Sequence, residues 1–374
     1  MSGEFALTAD LCHLNHAAVG PWPRRTADAV AAFAAENASQ GSLDYPRWLA
    51  TERRLRERLA RLVGGEADDV ALVKNTSEGL SILAMGLPWK AGDNIVGIAQ
   101  EFPSNRIVWE SLAARGVTWR GLDLDHSPDP EADLCALCDD RTRLLAVSWV
   151  QYARGLRLDL ARIGDFCRAR GILFCVDAIQ GLGALPFSLA ESQADVVVAD
   201  GHKWMLGPEG VALLYVRPPL RARLTLQQFG WHMVEQIGDF DRTAWTPAAS
   251  ARRFECGSPN LLGIHALEAS LSLLEEVGMD QVWRQLQLRT DHLIESLDRR
   301  GYVLLTPRDR ARRAGIVTFG VPGRSAELLY PRLMQRRVLC AQRGGGIRFS
   351  PHFHTPFAVI ERALDILAEV AGET

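Results

Sequence analysis

An acid, an imidazole and an amine follow an apolar run in the stretch VVVADGHKWMLGPEG, which extends from Val196 to Gly210. Burying an unpaired ammonium is costly, and a desolvated lysine loses its proton more readily than an exposed one. A lysine without its charge is a nucleophile. Lys203 is therefore a candidate for covalent chemistry, although an isolated lysine at a strand end more often extends its amine into water.

Polar residues also follow two other apolar runs. The segment NTSEG places Thr76 and Ser77 at the start of a helical pattern, where free amides and hydroxyls form a helix cap and also an anion site. Asp177 ends the apolar run FCVD, and a buried carboxylate there requires a cationic or hydrogen-bonding partner. Gln180, three residues later, adds a side-chain amide to the same region.

Pyridoxal phosphate is a cofactor that requires this whole combination of groups. It needs an anion site for its phosphate, a lysine amine for its aldehyde and a carboxylate that keeps its pyridine nitrogen protonated. The residues at these strand ends provide all three. The sequence therefore predicts a pyridoxal 5'-phosphate site, provided that the fold brings the strand ends together.

The elements that must position these residues are short apolar runs alternating with helical patterns such as SEGLSILAMGL and LDLARIGDFCRARG. The predicted strands cover residues 69–75, 94–100, 143–150, 172–178, 195–201 and 210–216. This alternation predicts an α/β fold with a mostly parallel mixed sheet sandwiched by helices. The last interval is too short for a crossover helix, so the final strand is expected to be antiparallel. Ligands of such sheets bind at the carboxyl ends of the strands.

Three regions are predicted along the chain. Residues 1–25 form an N-terminal segment that contributes to the active site and the small domain, residues 26–250 form the large cofactor-binding domain, and residues 251–374 form a smaller α+β domain. The pattern of the last region consists of helices near 262–277 and 280–300, strand-like runs in GYVLLT, AGIVTFGV and VLCAQRGGGIRFS, and a closing helix from Pro356.

Composition excludes several classes of protein. The net charge of −3 provides no electrostatic attraction for nucleic acid or an anionic membrane. No run approaches the ~18 apolar residues of a membrane span. The seven cysteines are scattered and odd in number, which favours reduced thiols and a cytoplasmic location. Cys135 and Cys138 form a CxxC, but no second pair follows at zinc-site spacing, so no metal site is predicted.

The ordered motifs resemble those of fold-type I pyridoxal-phosphate enzymes of the class V aminotransferase family, in the branch of cysteine desulfurases and isopenicillin N epimerase-like proteins. The motifs are LNHAAVGPWP, NTSEG, EFPSNRIVW, VDAIQ, DGHKWMLGPEG, RFECGSPN and IRFSPHFHT. The resemblance implies an aspartate aminotransferase-like fold, a homodimer with an active site shared between subunits, and a small amino acid as substrate. It implies transamination or β-elimination of the C–S lyase type, with epimerisation or racemisation as the alternative and cysteine desulfuration less favoured.

The resemblance also implies roles around the cofactor ring. Lys203 is the catalytic residue that forms the Schiff base, Asp177 pairs with the pyridine nitrogen and Gln180 faces the phenolic oxygen. Phe102 stands where desulfurases stack a histidine on the ring, and it can stack there but cannot move protons. This difference favours the epimerase-like and aminotransferase-like branch over the desulfurases.

The phosphate is expected to be held by Thr76, Ser77 and His202. Ser258 is expected to reach the phosphate of the neighbouring subunit. Asp200 replaces the serine or threonine that desulfurases carry beside the phosphate, and an acid is unfavourable next to an anion. We therefore expect Asp200 to orient His202 rather than to contact phosphate.

The substrate side of the site is implied by the last motif. Arg348 is expected to bind the substrate carboxylate as a bidentate fork, and Asn15, His16 and residues 229–236 are expected to line the substrate pocket. Desulfurases carry a persulfide-forming cysteine on a loop just before this arginine. The corresponding Cys340 lies within an apparent strand and is interpreted as a buried structural thiol.

Two hypotheses from other classes are less consistent with the sequence. A nicotinamide dehydrogenase would depend on GLGALP (181–186), which has Pro186 in place of the third glycine and follows the fourth strand instead of the first. A catalytically inactive relative acting as a binding module would have no need for Lys203, Asp177 and Arg348 together.

Overall fold

This computed structural model describes residues 3–372, which form three β-sheets and twelve α-helices. The strands are β1 (Cys12–His13), β2 (Val70–Val73), β3 (Asn94–Ile98), β4 (Thr118–Leu122), β5 (Thr142–Ser148), β6 (Leu173–Asp177), β7 (Val196–Asp200), β8 (Ala212–Val216), β9 (Val303–Leu304), β10 (Val317–Gly320), β11 (Val338–Leu339), β12 (Ala341–Arg343) and β13 (Gly346–Phe349).

Most helices lie against these sheets. They are α1 (Arg24–Gln40), α2 (Tyr45–Val63), α3 (Thr76–Gly86), α4 (Ser104–Glu110), α5 (Pro130–Ala136), α6 (Leu160–Arg170), α7 (Leu189–Ser192), α8 (Pro218–Arg221), α9 (Leu261–Val277), α10 (Met279–Arg299), α11 (Ala326–Gln335) and α12 (Phe357–Gly372). Within the described residues, no helix has both the length and the apolar character needed to cross a membrane.

The main sheet has seven strands in the order β2-β8-β7-β6-β5-β3-β4. The pairs formed by β3 to β7 are parallel, whereas β8 is antiparallel to both β7 and β2. The predicted antiparallel final strand is therefore confirmed. Each face of the sheet is covered by its own apolar cluster, which explains why the central strands consist of nearly continuous apolar residues.

Two features of the sheets differ from the sequence prediction. Strand β4 was not predicted, because it lies at the sheet edge and its partly exposed sequence, TWRGL, lacks an apolar run. The run VLCAQRGGGIRFS was predicted as one strand but forms β11, β12 and β13. Gly344 and Gly345 have positive φ angles of 59° and 84°, so the chain turns back between β12 and β13.

The N-terminal segment packs with the C-terminal part of the chain. Strand β1 pairs in parallel with β11, and Cys12 and Leu14 belong to an apolar cluster formed largely by β10, β13, α10, α11 and α12. Helix α9 instead packs against α1 and α2 beside the main sheet. The predicted boundaries at residues 25 and 250 stay predictions.

Candidate active site

A cavity of about 360 Å³ opens at the carboxyl ends of the parallel strands of the main sheet. Strands β2, β5, β6 and β7 all point their carboxyl ends toward this edge, so polar residues that follow different strands meet there. The predicted site residues that line the cavity are Thr76, Ser77, Phe102, Asp177, Gln180, His202, Lys203 and Arg348.

The N-terminus of α3 forms one wall of the cavity. The Asn75 side chain caps the helix by accepting the backbone N–H of Glu78 at 2.9 Å. Thr76 Oγ1 is buried without a hydrogen-bond partner, and Ser77 Oγ donates to Ser104 Oγ at 2.8 Å. This helix end therefore combines hydroxyls with the free N–H groups of a first turn, which suits an anion.

Strand β7 ends at Asp200, and the following turn brings His202 back beside it. Asp200 Oδ1 and His202 Nδ1 lie 3.0 Å apart, but they are not aligned as a hydrogen bond, and each atom is buried without another partner. The proximity supports the expected orienting role of Asp200, which stays a prediction.

The Lys203 amine is buried at the cavity wall, with 8% of the residue exposed. Its Nζ lies 5.5 Å from the centroid of the Phe102 ring. Burial lowers the pKa of Lys203 to about 8, although the nearby Asp177 charge opposes this shift. Gly20 packs directly on the Lys203 backbone, because a Cβ atom at Gly20 would approach the Lys203 carbonyl oxygen to 2.3 Å. The N-terminal segment therefore packs against the turn that carries the lysine.

Asp177 and Gln180 form the floor of the cavity near Lys203. Asp177 Oδ1 accepts the Ile179 N–H at 3.0 Å, and burial raises the pKa of the Asp177 carboxyl to about 6. Gln180 Nε2 donates to the Ala17 carbonyl at 3.0 Å, while its Oε1 accepts the Trp204 indole N–H at 2.8 Å. These two bonds fix the orientation of the Gln180 amide.

Arg348 lies on β13 and extends its guanidinium into the cavity. Its Nη1 donates to the Tyr152 carbonyl at 2.6 Å, and its Nη2 donates to Asn15 Oδ1 at 3.3 Å. Its Nε is buried without a partner. Burial lowers the pKa of Arg348 to about 10, and the nearby Arg343 charge adds to this effect. One edge of the guanidinium thus retains donors for a carboxylate.

Other predicted residues lie elsewhere. Ser258 lines a separate cavity of about 440 Å³, and residues 229–236 mostly line a third cavity of about 400 Å³. His16 does not line the active-site cavity, because its ring is buried and contacts the Ser350 carbonyl at 3.0 Å and His354 at 3.2 Å. The role of Ser258 in a neighbouring subunit stays a prediction.

The cysteines are all free thiols, and none of them lines the active-site cavity of the described chain. Cys340 is buried between β11 and β12, and burial raises the pKa of its thiol to about 12. A single group of side chains within residues 3–372 has the proximity of metal ligands, namely Glu52, His232 and Glu255. The Arg56 guanidinium already forms ion pairs with both Glu52 and Glu255, and its positive charge disfavours a metal cation at this group.

Sequence reasoning missed several residues of this site. Ser148, Tyr152 and Arg343 line the cavity, and Glu101 lies behind Ser148. Ser148 and Glu101 each stand near the end of a predicted strand, so position alone could have identified them. Tyr152 lies in a turn after β5, and Arg343 ends the short strand β12, so neither has a long apolar alternation that would indicate which way its side chain points.

The comparisons with known proteins agree with this geometry. A family model described as aminotransferase class-V matches residues 13–348. Isopenicillin N epimerase from Streptomyces clavuligerus is 31% identical, over 99% of this chain and 98% of the relative. A cysteine desulfurase from Salmonella newport is 28% identical, over 83% of this chain and 78% of the relative.

Solved structures show the same fold. The cystine C-S lyase C-DES, in complex with its product cysteine persulfide, matches with a TM-score of 0.89 at 24% identity, over 97% of this chain and 98% of that one. A mutant of C-DES with glycine covalently linked to its pyridoxal phosphate cofactor also matches with a TM-score of 0.89. These matches confirm the predicted fold type I architecture.

Proposed function

This chain belongs to the class V aminotransferase family, and from that premise we propose that it is a pyridoxal 5'-phosphate enzyme acting at Cα or Cβ of a small amino acid. The observation that carries the proposal is the buried Lys203 amine, which lies in one cavity with an unpaired helix N-terminus, the Asp177 carboxylate and a partly free guanidinium. The reaction is transamination or β-elimination of the C–S lyase type.

The unpaired buried atoms of the cavity fit this cofactor. Thr76 Oγ1 lacks a hydrogen-bond partner, and with Ser77 and the second ring nitrogen of His202, whose Nδ1 faces Asp200, it would hold the phosphate at the N-terminus of α3. Asp177 would hold the proton of the pyridine nitrogen, and Gln180 would face the phenolic oxygen. When bound, pyridoxal phosphate supplies an aldehyde for the amine and a ring that accepts electrons from Cα.

Lys203 has the properties of a covalent and proton-transferring residue. Because burial lowers its pKa to about 8, an appreciable fraction of its amines is neutral near pH 7 and can act as a nucleophile. The Phe102 ring lies beside the amine, with its centroid 5.5 Å from Nζ. With a substrate in the cavity, the Lys203 amine would be available as a base to hold or move a proton at Cα.

Arg348 would bind the substrate carboxylate through its unpaired Nε and its neighbouring Nη2. The short bond to the Tyr152 carbonyl and the longer one to Asn15 hold the guanidinium plane in place without occupying Nε. Holding the carboxylate fixes which bond at Cα is exposed to Lys203.

The thiols favour these reactions over desulfuration through a protein persulfide. Cys340 is buried and its raised pKa keeps it protonated, so it lacks the thiolate that would accept sulfur. Epimerisation is the second candidate, because the relative at 31% identity and nearly full coverage is an isopenicillin N epimerase.

We further propose a cytoplasmic homodimer whose active site is shared between subunits. The segment 229–245 exposes several large aromatic side chains, which suits a surface covered by a second copy of the chain. These side chains are Phe229, Trp231, Phe240 and Trp245. The free cysteines suit a reducing compartment.

A screen of amino acids against the cofactor-loaded protein tests this function. Keto acid, ammonia, sulfide and the configuration at Cα are followed separately, with and without a keto-acid acceptor. Transamination requires the acceptor, β-elimination releases ammonia without one, and epimerisation changes only the configuration. The Lys203→Ala variant is the control, and a wild-type protein inactive on every amino acid would contradict the proposal.

A further inference from the structure

Glu101 is a buried carboxyl directly behind the active-site cavity. It follows β3, and only 4% of the residue is exposed. Its Oε1 accepts the Ser148 backbone N–H at 2.6 Å, and its Oε2 forms a short hydrogen bond with Ser148 Oγ. Ser148 lines the cavity and is the register partner of Asp177 across β5 and β6. Glu101 thus reaches the cavity floor through one serine.

No cation compensates a charge on Glu101. Among residues 3–372 the groups that act on this carboxyl are Ser148, Asp177 and the Asn105 amide on α4, and none of them is a cation. The ionisable groups that face it are Asp177 and Cys175, both on β6. An isolated buried carboxylate is strongly disfavoured, and the negative charge of a second carboxylate nearby disfavours it further.

The contacts of the two carboxyls favour the proton on Glu101, because Asp177 accepts the Ile179 N–H and lies near the Lys203 charge, whereas Glu101 has no cationic neighbour. Burial raises its pKa to about 8, and the nearby Asp177 charge adds to the rise, whereas the pKa of Asp177 is about 6. At pH 7, Asp177 is therefore the ionised member. The Cys175 thiol stays neutral because burial raises its pKa as well.

We propose that Glu101 is a positioning residue that remains a neutral acid beneath the cavity, donates to Ser148 Oγ and leaves Asp177 as the single charged carboxylate of the pair. The inference rests on the proposed function, because the group that Asp177 and Ser148 serve is the cofactor. It assigns Glu101 no contact with cofactor or substrate.

The protonation state of Glu101 decides whether the Ser148 hydroxyl can donate a hydrogen bond into the cavity. When Glu101 is protonated, its O–H donates to Ser148 Oγ, so the serine hydroxyl is free to donate into the cavity. When Glu101 is ionised, the serine hydroxyl turns back to the carboxylate and presents only a lone pair. Ionisation also adds a second negative charge beside Asp177.

Three variants separate these roles. Glu101→Gln keeps an acceptor for the Ser148 N–H and a donor for Ser148 Oγ but cannot ionise, so it mimics the neutral acid. Glu101→Ala removes both bonds. Glu295→Gln makes the same chemical change on an exposed part of α10 and is the matched control.

The first measurement needs no cofactor. Difference infrared spectroscopy of the apoprotein should show a protonated carboxyl band at pH 7 that disappears with a midpoint near pH 8 and is absent in Glu101→Gln. The Glu295→Gln control should keep the band. A band that is missing at pH 7, or unchanged in Glu101→Gln, would overturn the proposal.

The second measurement follows the cofactor Kd and the turnover from pH 6.5 to 9. Glu101→Gln should match wild type within about two-fold at pH 7 and should have a shallower inflection near pH 8, because the part due to Lys203 remains and the part due to Glu101 is lost. Glu101→Ala should lose about ten-fold in turnover, because the Ser148 N–H is left unpaired. Equal profiles for all three proteins would contradict the role of Glu101, whereas failure of wild type to bind the cofactor at Lys203 would contradict the proposed function instead.

Discussion

Two buried polar regions contact Trp204, and they differ in how completely their polar atoms are hydrogen-bonded. The histidine cluster, formed by His13, His16, His352 and His354, pairs most of its ring nitrogens and leaves His13 Nδ1 without a partner. His352, for example, contacts the Trp204 carbonyl at 2.9 Å and accepts the Phe353 N–H at 2.7 Å. The active-site cavity leaves buried atoms of Thr76 and Arg348 unpaired.

The difference in hydrogen bonding indicates a structural role for the histidine cluster and a binding role for the cavity. Leaving a buried polar atom unpaired costs about 1–3 kcal/mol, so a chain selected only for stability would pair these groups. The cluster uses its polar atoms to join the N-terminal segment to the C-terminal part of the chain. The cavity keeps its polar atoms available, which is what a site that binds an anionic cofactor and a carboxylate requires.

Among the substitutions considered below, the largest effect on turnover should come from replacing Asp177 on the floor of the cavity. Asp177→Asn keeps the shape of the side chain but removes the carboxylate that would hold the pyridine proton. We expect turnover to fall on the order of 10²- to 10³-fold, as when a preorganised electrostatic partner is removed. Steady-state kinetics with the screened substrate measures this, and near-normal turnover would show that Asp177 is only structural.

Arg348→Ala should act on substrate binding. A charge-assisted fork to a carboxylate contributes roughly 2–4 kcal/mol, so the KM should rise about 30- to 700-fold. Arg348→Lys retains the charge without the planar fork, so its KM should lie between those of wild type and Arg348→Ala. An unchanged KM in Arg348→Ala would mean that the substrate carboxylate binds elsewhere.

The histidine cluster should affect stability instead of turnover. Burial lowers the pKa of His13 and His352 to about 4, and those of His16 and His354 lie well below the usual range. The unfolded chain therefore binds more protons than the folded one below about pH 6.5, and the free energy of unfolding falls as the pH drops from there toward 4.

Denaturant unfolding between pH 4 and 8 measures this slope. His13→Gln removes one titrating ring and should make the slope shallower by about one proton. His126→Gln is the control, because that ring is exposed and its hydrogen bond with Asp123 raises its pKa, so its loss should not make the slope below pH 6.5 shallower. Equal slopes for wild type and His13→Gln would contradict the account of the cluster.

The smallest effect should come from Cys340. Because this thiol is buried and not ionised, Cys340→Ser should keep the wild-type kcat and KM within about two-fold, even if the core is destabilised by about 1 kcal/mol. A persulfide found on Cys340 by mass spectrometry after turnover with cysteine, together with loss of sulfur release in Cys340→Ser, would establish a desulfurase instead.

The main sheet and much of the cavity could be predicted from the sequence because their causes are local. Apolar strands between helical patterns indicate a parallel sheet, and the topology then brings Thr76, Asp177 and Lys203 to one edge. The antiparallel β8 followed from the short connection before it. The resemblance supplied Arg348, which no local pattern indicates as a carboxylate ligand.

Other features depend on contacts that no local pattern encodes. Asn15 meets Arg348 across 333 residues of sequence, and the direction of each side chain is set only by packing. His16 was expected in the substrate pocket, but the histidine cluster holds it away from the cavity. Strand β4 was not predicted, because an edge strand is partly exposed and can form without a continuous apolar run.

The most direct test of the account is the site of cofactor attachment, which this chain makes unusually simple to locate. The sequence contains three lysines, and Lys74 and Lys90 are exposed whereas Lys203 is buried in the cavity. The protein is incubated with pyridoxal phosphate, reduced with borohydride, digested and analysed by mass spectrometry. The account predicts one stoichiometric adduct on Lys203 that is absent in Lys203→Ala, whereas an adduct on Lys74 or Lys90, or an undiminished yield in Lys203→Ala, would contradict it.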